Sequence, residues 1–180
     1  SIVGGIRLVM KHLGLKTCVI GIEGNKPEAI EAMTKAVAGL ENVSVLTMKA
    51  CYPKGAEKVI IYETTGRVVE EGKLPADAGV IAMNVATISK LYDYVQTGMP
   101  LVEKMLTVDG GAVAEPKNII APIGTPIKDM LAFCGGCKTE PRKLLMGGPM
   151  MGICVTSDEF PLLKNNNAIL AFDEEQCRPV

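Results

Sequence analysis

One segment constrains the fold more than any other. From Lys16 to Ile22 the chain reads Lys-Thr-Cys-Val-Ile-Gly-Ile, a nearly unbroken apolar run. Such a run suits a strand buried on both faces, as in a parallel sheet. Asn25 reads as the cap of a following helix, and Pro27 sits in its first turn, where a missing N–H costs nothing. Ile30, Met33, Val37 and Leu40 recur at helical spacing, and Val43 to Met48 reads as a second strand. The segment is therefore a strand–helix–strand unit, parallel and right-handed. Ahead of it, Ile2, Ile6, Val9 and Leu13 mark a helix with Gly14 at its C-terminal cap.

Further along, Ala56, Val59, Ile60 and Glu63 keep helical spacing up to Gly66. Val80 to Met83 reads as a short strand, and Asn84 caps a helix carrying Val85, Ile88, Leu91, Tyr92 and Val95. After Pro100 the texture changes. Met105 to Val108, Asp109-Gly110 and Gly111 to Val113 read as a hairpin. Asn118 to Ala121 is a strand, Thr125-Pro126 opens a short helix, and Lys143 to Met146 and Ala168 to Phe172 are strands. Hairpin, helix, strand is the order of a β-grasp module.

Composition excludes several classes. With 48% hydrophobic and 22% charged residues, the chain is neither disordered nor collagen-like. The 19 basic and 20 acidic side chains leave no electrostatic footprint for nucleic acid or anionic lipid. The longest uncharged stretch, Leu144 to Ser157, is broken by glycines and Pro149. A spanning helix needs roughly 20 apolar residues, so no membrane span is expected. The absence of Trp argues against base-stacking platforms. The chain starts without Met inside a helical pattern and stops just after Cys177, so both ends read as cut from a longer chain.

The motifs with chemical potential each have a plain alternative. Gly21-Ile22-Glu23-Gly24-Asn25 has the look of a phosphate-cradling turn. The full G-x-G-x-x-G is absent, and the second strand runs into Lys49, Ala50 and Cys51 with no ribose-binding acid. A plain β–α turn is the better reading. Cys134-Gly135-Gly136-Cys137 falls at a helix C-terminus, where the dipole disfavours a thiolate. It reads as a Gly-rich helix end, and Cys18 and Cys154 read as small buried hydrophobes. With His12 as the only histidine, no Ser–His–Asp or Cys–His arrangement can be argued; no catalytic residue and no metal ligand is assigned. Gly147-Gly148-Pro149-Met150-Met151-Gly152 reads as a tight crossing between modules, or as the wall of a cleft. Glu57 and Lys58 form either a solvated first turn or, with the backbone N–H groups beside them, a face toward a nucleotide.

Tyr52-Pro53-Lys54-Gly55-Ala56-Glu57-Lys58, Thr65-Gly66-Arg67, Leu74-Pro75-Ala76-Asp77-Ala78-Gly79-Val80 and Asn84-Val85-Ala86-Thr87 together resemble the middle of the RnfC family. Pro116-Lys117-Asn118, Ile123-Gly124-Thr125-Pro126 and Gly147 to Gly152 match in the same order. Members of that family belong to ion-translocating ferredoxin:NAD⁺ oxidoreductases, the Rnf electron transport complexes. They are similar to the NADH- and flavin-binding subunit of respiratory complex I.

The resemblance implies an α/β chain: a Rossmann-like parallel βαβ domain over residues 1–99 and a β-grasp domain of the soluble-ligand-binding type over 100–155. A return strand and linker would follow over 156–180. It implies FMN and NAD(H) as cofactors, with Gly55, Ala56, Glu57, Lys58, Asn84 and Thr87 beside the flavin. The relative in complex I has two acids where this chain has Glu57-Lys58. The family's Gly-rich loop would lie upstream of Ser1, and the cysteine runs for two [4Fe–4S] clusters downstream of Val180. The implied setting is a peripheral subunit at the cytoplasmic face of a membrane complex, with the other subunits as partners and ferredoxin an indirect one. Alone, such a piece would be inactive. The alternative is a non-enzymatic β-grasp domain for ligand binding or subunit docking.

Overall fold

β1 (Cys18–Glu23) and β2 (Val43–Met48) lie in parallel, with Cys18 opposite Val43 and Glu23 opposite Met48. The computed structural model describes residues 1–178 and places α2 (Pro27–Val37) between these strands, as their sequence implies. Among the described residues this sheet has two strands only. For that reason β1 is half-buried along its length rather than enclosed on both faces. Asn25 does not cap α2. Lys26 stands at that position without a side-chain cap bond.

The chain divides into two units, Ser1–Met99 and Pro100 onward. In the first, α1 (Ile2–Leu13) packs on α4 (Val85–Thr97). α3 (Glu57–Thr65) lies against β1 and buries Ile61. Between α3 and α4 comes a 3₁₀ turn, Pro75–Ala78, closed by Gly79. Residues 80–83 form no strand: Ile81 and Met83 are exposed, and the segment leads straight into the Asn84 cap. Apolar composition without a neighbouring strand edge does not make a strand.

The second unit holds a five-stranded sheet in the order β4-β3-β7-β5-β6. β3 (Glu103–Asp109) and β4 (Lys117–Pro122) form an antiparallel hairpin with Met105 opposite Ile120. β7 (Ala168–Phe172) runs parallel to β3 and antiparallel to β5 (Lys143–Met146), and β6 (Ile153–Val155) closes the far edge. α5 (Ile127–Phe133) covers one face, where Val108, Ile127, Met130, Leu162 and Ile169 are all at most 1% exposed. This is the β-grasp arrangement.

The hairpin differs from expectation in its second arm. Gly111 to Val113 is not the return strand; Lys117–Pro122 is. Gly110 has φ +121°, and a Cβ there would lie 2.1 Å from the Ala171 carbonyl oxygen. The chain leaves β3 across the backbone of β7, which a tight two-residue turn does not do. Val113 then bridges Cys137. Gly147 to Gly152 is the turn of the β5–β6 hairpin, with the Gly152 N–H donating to the Gly148 carbonyl at 2.7 Å.

Candidate functional site

The loop from β2 into α3 is folded by two local turns. The Lys54 N–H donates to the Cys51 carbonyl and the Ala56 N–H to the Pro53 carbonyl, both at 2.9 Å. Ala56 is the extended residue ahead of the helix, and its carbonyl accepts from the N–H groups of Val59 and Ile60. The first N–H groups of a helix have no partner inside it and stand at the positive end of its dipole. Gly55, Ala56, Glu57 and Lys58 thus present one run of exposed backbone. A Cβ on Gly55 would meet nothing within 4 Å, so the space beside it is open.

Three cations fix the surroundings. The Lys54 ammonium donates to Glu63 Oε2 at 2.5 Å, between half-buried side chains, and ties the loop to the body of α3. That hydrogen bond holds the Lys54 pKa above its ordinary value. The Lys58 ammonium donates to the Glu70 carbonyl at 2.7 Å. Arg67 reaches the carbonyls of Ala78 and Gly79. An open groove of about 290 Å³ runs beside Lys58, walled by Val59, Tyr62, Val68 and Val69. A larger groove, about 340 Å³, lies by Arg7, Met10 and Glu41 and contains none of the expected site residues.

Asn84 and Thr87 stand at the start of α4. Asn84 Oδ1 accepts from the Ala86 N–H at 2.9 Å, so the expected cap is present. Thr87 is exposed in the first turn. The six residues therefore gather at two helix N-termini. Lys58 and Asn84 bond within their own surroundings. Sequence reasoning missed Lys54–Glu63 as a pair and gave Arg67 no role. A nine-residue separation has no helical or strand periodicity, and a side chain bound to carbonyls leaves no pattern in composition.

The paired cysteines at the end of α5 are held as thiols. Cys134 caps the C-terminus of α5, is fully buried, and burial pushes its thiol pKa up, against the pull of Lys117. Cys137 is also raised, by partial desolvation and then by Asp158. Cys154 is exposed rather than buried; it lies on an edge strand of three residues. Among the described residues no three His, Cys, Asp or Glu side chains are grouped to hold a metal.

Comparison with known proteins gives the class first. Residues 1–93 match the Nuo51 FMN-binding domain and residues 105–153 the SLBB domain. The fold agrees: a solved NAD⁺-reducing [NiFe]-hydrogenase in its H₂-reduced state has a chain that superposes with TM-score 0.75 at 17% identity. The match covers 95% of this chain and 35% of that one. The chain belongs to the Nuo51 FMN-binding family, with an SLBB domain following, and its relatives by sequence are RnfC-type subunits. It is 46% identical over 170 residues to the C subunit of the proton-translocating ferredoxin:NAD(+) oxidoreductase complex of Clostridium ljungdahlii, covering 94% of this chain and 37% of that one. It is 40% identical over 178 residues to the Na(+)-translocating counterpart of Acetobacterium woodii, covering 99% and 40%. It is 39% identical over 173 residues to the C subunit of the ion-translocating oxidoreductase complex of Pseudomonas aeruginosa, covering 96% and 22%. The chain thus spans two fifths or less of the length of these relatives.

Proposed function

We propose that this chain is the flavin-site and SLBB portion of an electron-transfer subunit. The subunit serves an ion-translocating ferredoxin:NAD⁺ oxidoreductase at the cytoplasmic face of a membrane. In the whole protein, electrons pass between NAD(H), FMN and [4Fe–4S] clusters whose ligands lie outside this chain. No helix among the described residues is long and apolar enough to cross a membrane.

One observation carries the reading: within the region that matches the FMN-binding family, the first turn of α3 offers a row of exposed N–H donors beside open space. The donor set fits FMN, whose phosphate, ribityl hydroxyls and pyrimidine carbonyls all accept hydrogen bonds. The backbone N–H groups of Gly55, Glu57 and Lys58 would hold one edge of it; Ala56, whose own N–H is taken by the Pro53 carbonyl, shapes the loop between them, and the amide N–H₂ of Asn84 and the hydroxyl of Thr87 supply further donors. When bound, FMN supplies the exchange between hydride and single-electron chemistry. The protein's part is binding and orientation. The Lys54–Glu63 pair holds the donor loop on α3, and Glu57 at the helix start tunes the local charge. These residues form one side of a site and do not enclose it. The chain alone therefore binds FMN weakly and does not turn over NADH.

Titration of the purified chain with FMN, followed by quenching of flavin fluorescence, tests this. Saturable binding weakened by Gly55→Val supports it, and no binding up to millimolar FMN sinks it. The second reading, a docking module, is favoured by the apolar surface of the SLBB unit, where Met105 and Ile120 pair across the hairpin yet are 67% and 62% exposed.

A further inference from the structure

The two halves of the candidate site are joined by residues 66–84, and one side chain ties that stretch down. Arg67 Nη1 donates to the carbonyls of Ala78 at 3.0 Å and Gly79 at 2.7 Å. Its own N–H donates to Thr65 Oγ1 at 3.2 Å, directly after the Gly66 cap, so its backbone is fixed to the end of α3. Gly79 has φ +67°, and a Cβ there would lie 2.9 Å from Arg67 Nη1. The glycine therefore closes the 3₁₀ turn and also leaves room for the guanidinium. Both N–H groups of one guanidinium nitrogen are thus spent on two adjacent carbonyls, and the planar head fixes their directions where an ammonium would rotate freely. From Gly79 the chain runs directly to Asn84 and α4. A second strap, Lys58 to the Glu70 carbonyl, holds the start of the same stretch on α3.

We propose that Arg67 is a positioning residue for flavin binding. By fixing residues 78–79 to the end of α3, it sets where Asn84 and Thr87 stand relative to the donors at the start of that helix. The inference rests on the flavin reading above, and Arg67 itself acts through Asn84 rather than on the ligand.

The test is a double-mutant cycle on FMN affinity in the purified chain. Arg67→Met, which removes both bonds from the guanidinium, is expected to weaken binding by about tenfold, and Arg67→Lys to recover part of the loss. Asn84→Ala is expected to weaken binding by a similar factor in the native background and by less than about twofold in the Arg67→Met background. The reason is that residues acting through one another are not additive. Equal losses in both backgrounds, or native affinity in Arg67→Met, overturn the proposal. Where Arg67→Met melts below the assay temperature, the same cycle is run on Arg67→Lys. Hydrogen exchange without ligand gives a separate measure: faster exchange of the amides of residues 86–88 in the arginine variants supports the strap, and unchanged exchange overturns it. Failure of the native chain to bind FMN refutes the flavin reading instead, and the strap is then decided by exchange alone.

Discussion

Gly5 of α1 lies against the backbone of Ile88 in α4, so closely that a Cβ on Gly5 would stand 2.2 Å from the Ile88 carbonyl oxygen. Gly4 faces the ring of Tyr92 instead, at 2.4 Å for the same construction. A ring can swing aside and a helix carbonyl cannot. Gly5→Ala should therefore destabilise the chain by about 1–3 kcal/mol, and Gly4→Ala by less. Urea denaturation followed by circular dichroism measures both, and equal effects would contradict the contact.

The Asn84 cap separates two roles of one residue. Asn84→Ala removes the oxygen that accepts from the Ala86 N–H and should lower stability by about 1 kcal/mol. Asn84→Asp keeps an accepting oxygen at the cap and loses the amide donors. It should melt within a degree or two of the native chain, roughly the scatter of a neutral cap exchange, yet bind FMN more weakly. Unchanged FMN affinity in Asn84→Asp would remove Asn84 from the site.

Lys54 gives a pH signature. Glu63 holds its pKa above the ordinary 10.5. A group with a raised folded pKa contributes stability that is complete below its unfolded pKa and is lost as pH rises through the folded one. The difference in stability between the native chain and Lys54→Met should be constant from neutral pH up to about 9.5 and shrink above about 10.5. Denaturation midpoints across that range decide it, and a gap that does not change in alkali counts against the pair.

The thiols should react in order of exposure. Cys51, Cys137 and Cys154 are exposed, desolvation pushes the Cys137 thiol up and so slows it, and Cys134 is fully buried with its pKa raised by burial. Iodoacetamide at about pH 7.5 should label Cys51 and Cys154 first and leave Cys134 unlabelled until the chain is unfolded. Peptide mapping by mass spectrometry reads the order. Early labelling of Cys134 would mean that α5 opens readily.

Local features were the legible ones. The Asn84 cap, the Gly14 and Gly66 helix ends and the β1–α2–β2 unit follow from residues within a few positions of one another, where spacing and backbone preference act directly. The helical spacing of Ala56, Val59, Ile60 and Glu63 up to Gly66 was met by α3, because that spacing and the Gly66 cap act within a few residues. The second arm of the β3–β4 hairpin was misread because Asp109-Gly110 has tight-turn chemistry, whereas Gly110 is shaped by the backbone of Ala171, some sixty positions away. The strand reading of 80–83 failed for want of a partner, which composition cannot supply. At the candidate site the motif residues stood out by their resemblance to a family. The straps that hold them, Lys54 to Glu63 and Arg67 to the carbonyls of Ala78 and Gly79, join residues with no periodic relation and had no signal to read.

The strand order of the second unit has a consequence for biosynthesis. β7 is the last strand to leave the ribosome, yet it lies between β3 and β5. β3 must wait through the synthesis of residues 110–167 before its parallel neighbour exists. At synthesis rates of roughly 5–20 residues per second, that interval lasts several seconds. Throughout it the β3–β4 hairpin offers an unpaired inner edge, the kind of surface that recruits chaperones or other nascent chains.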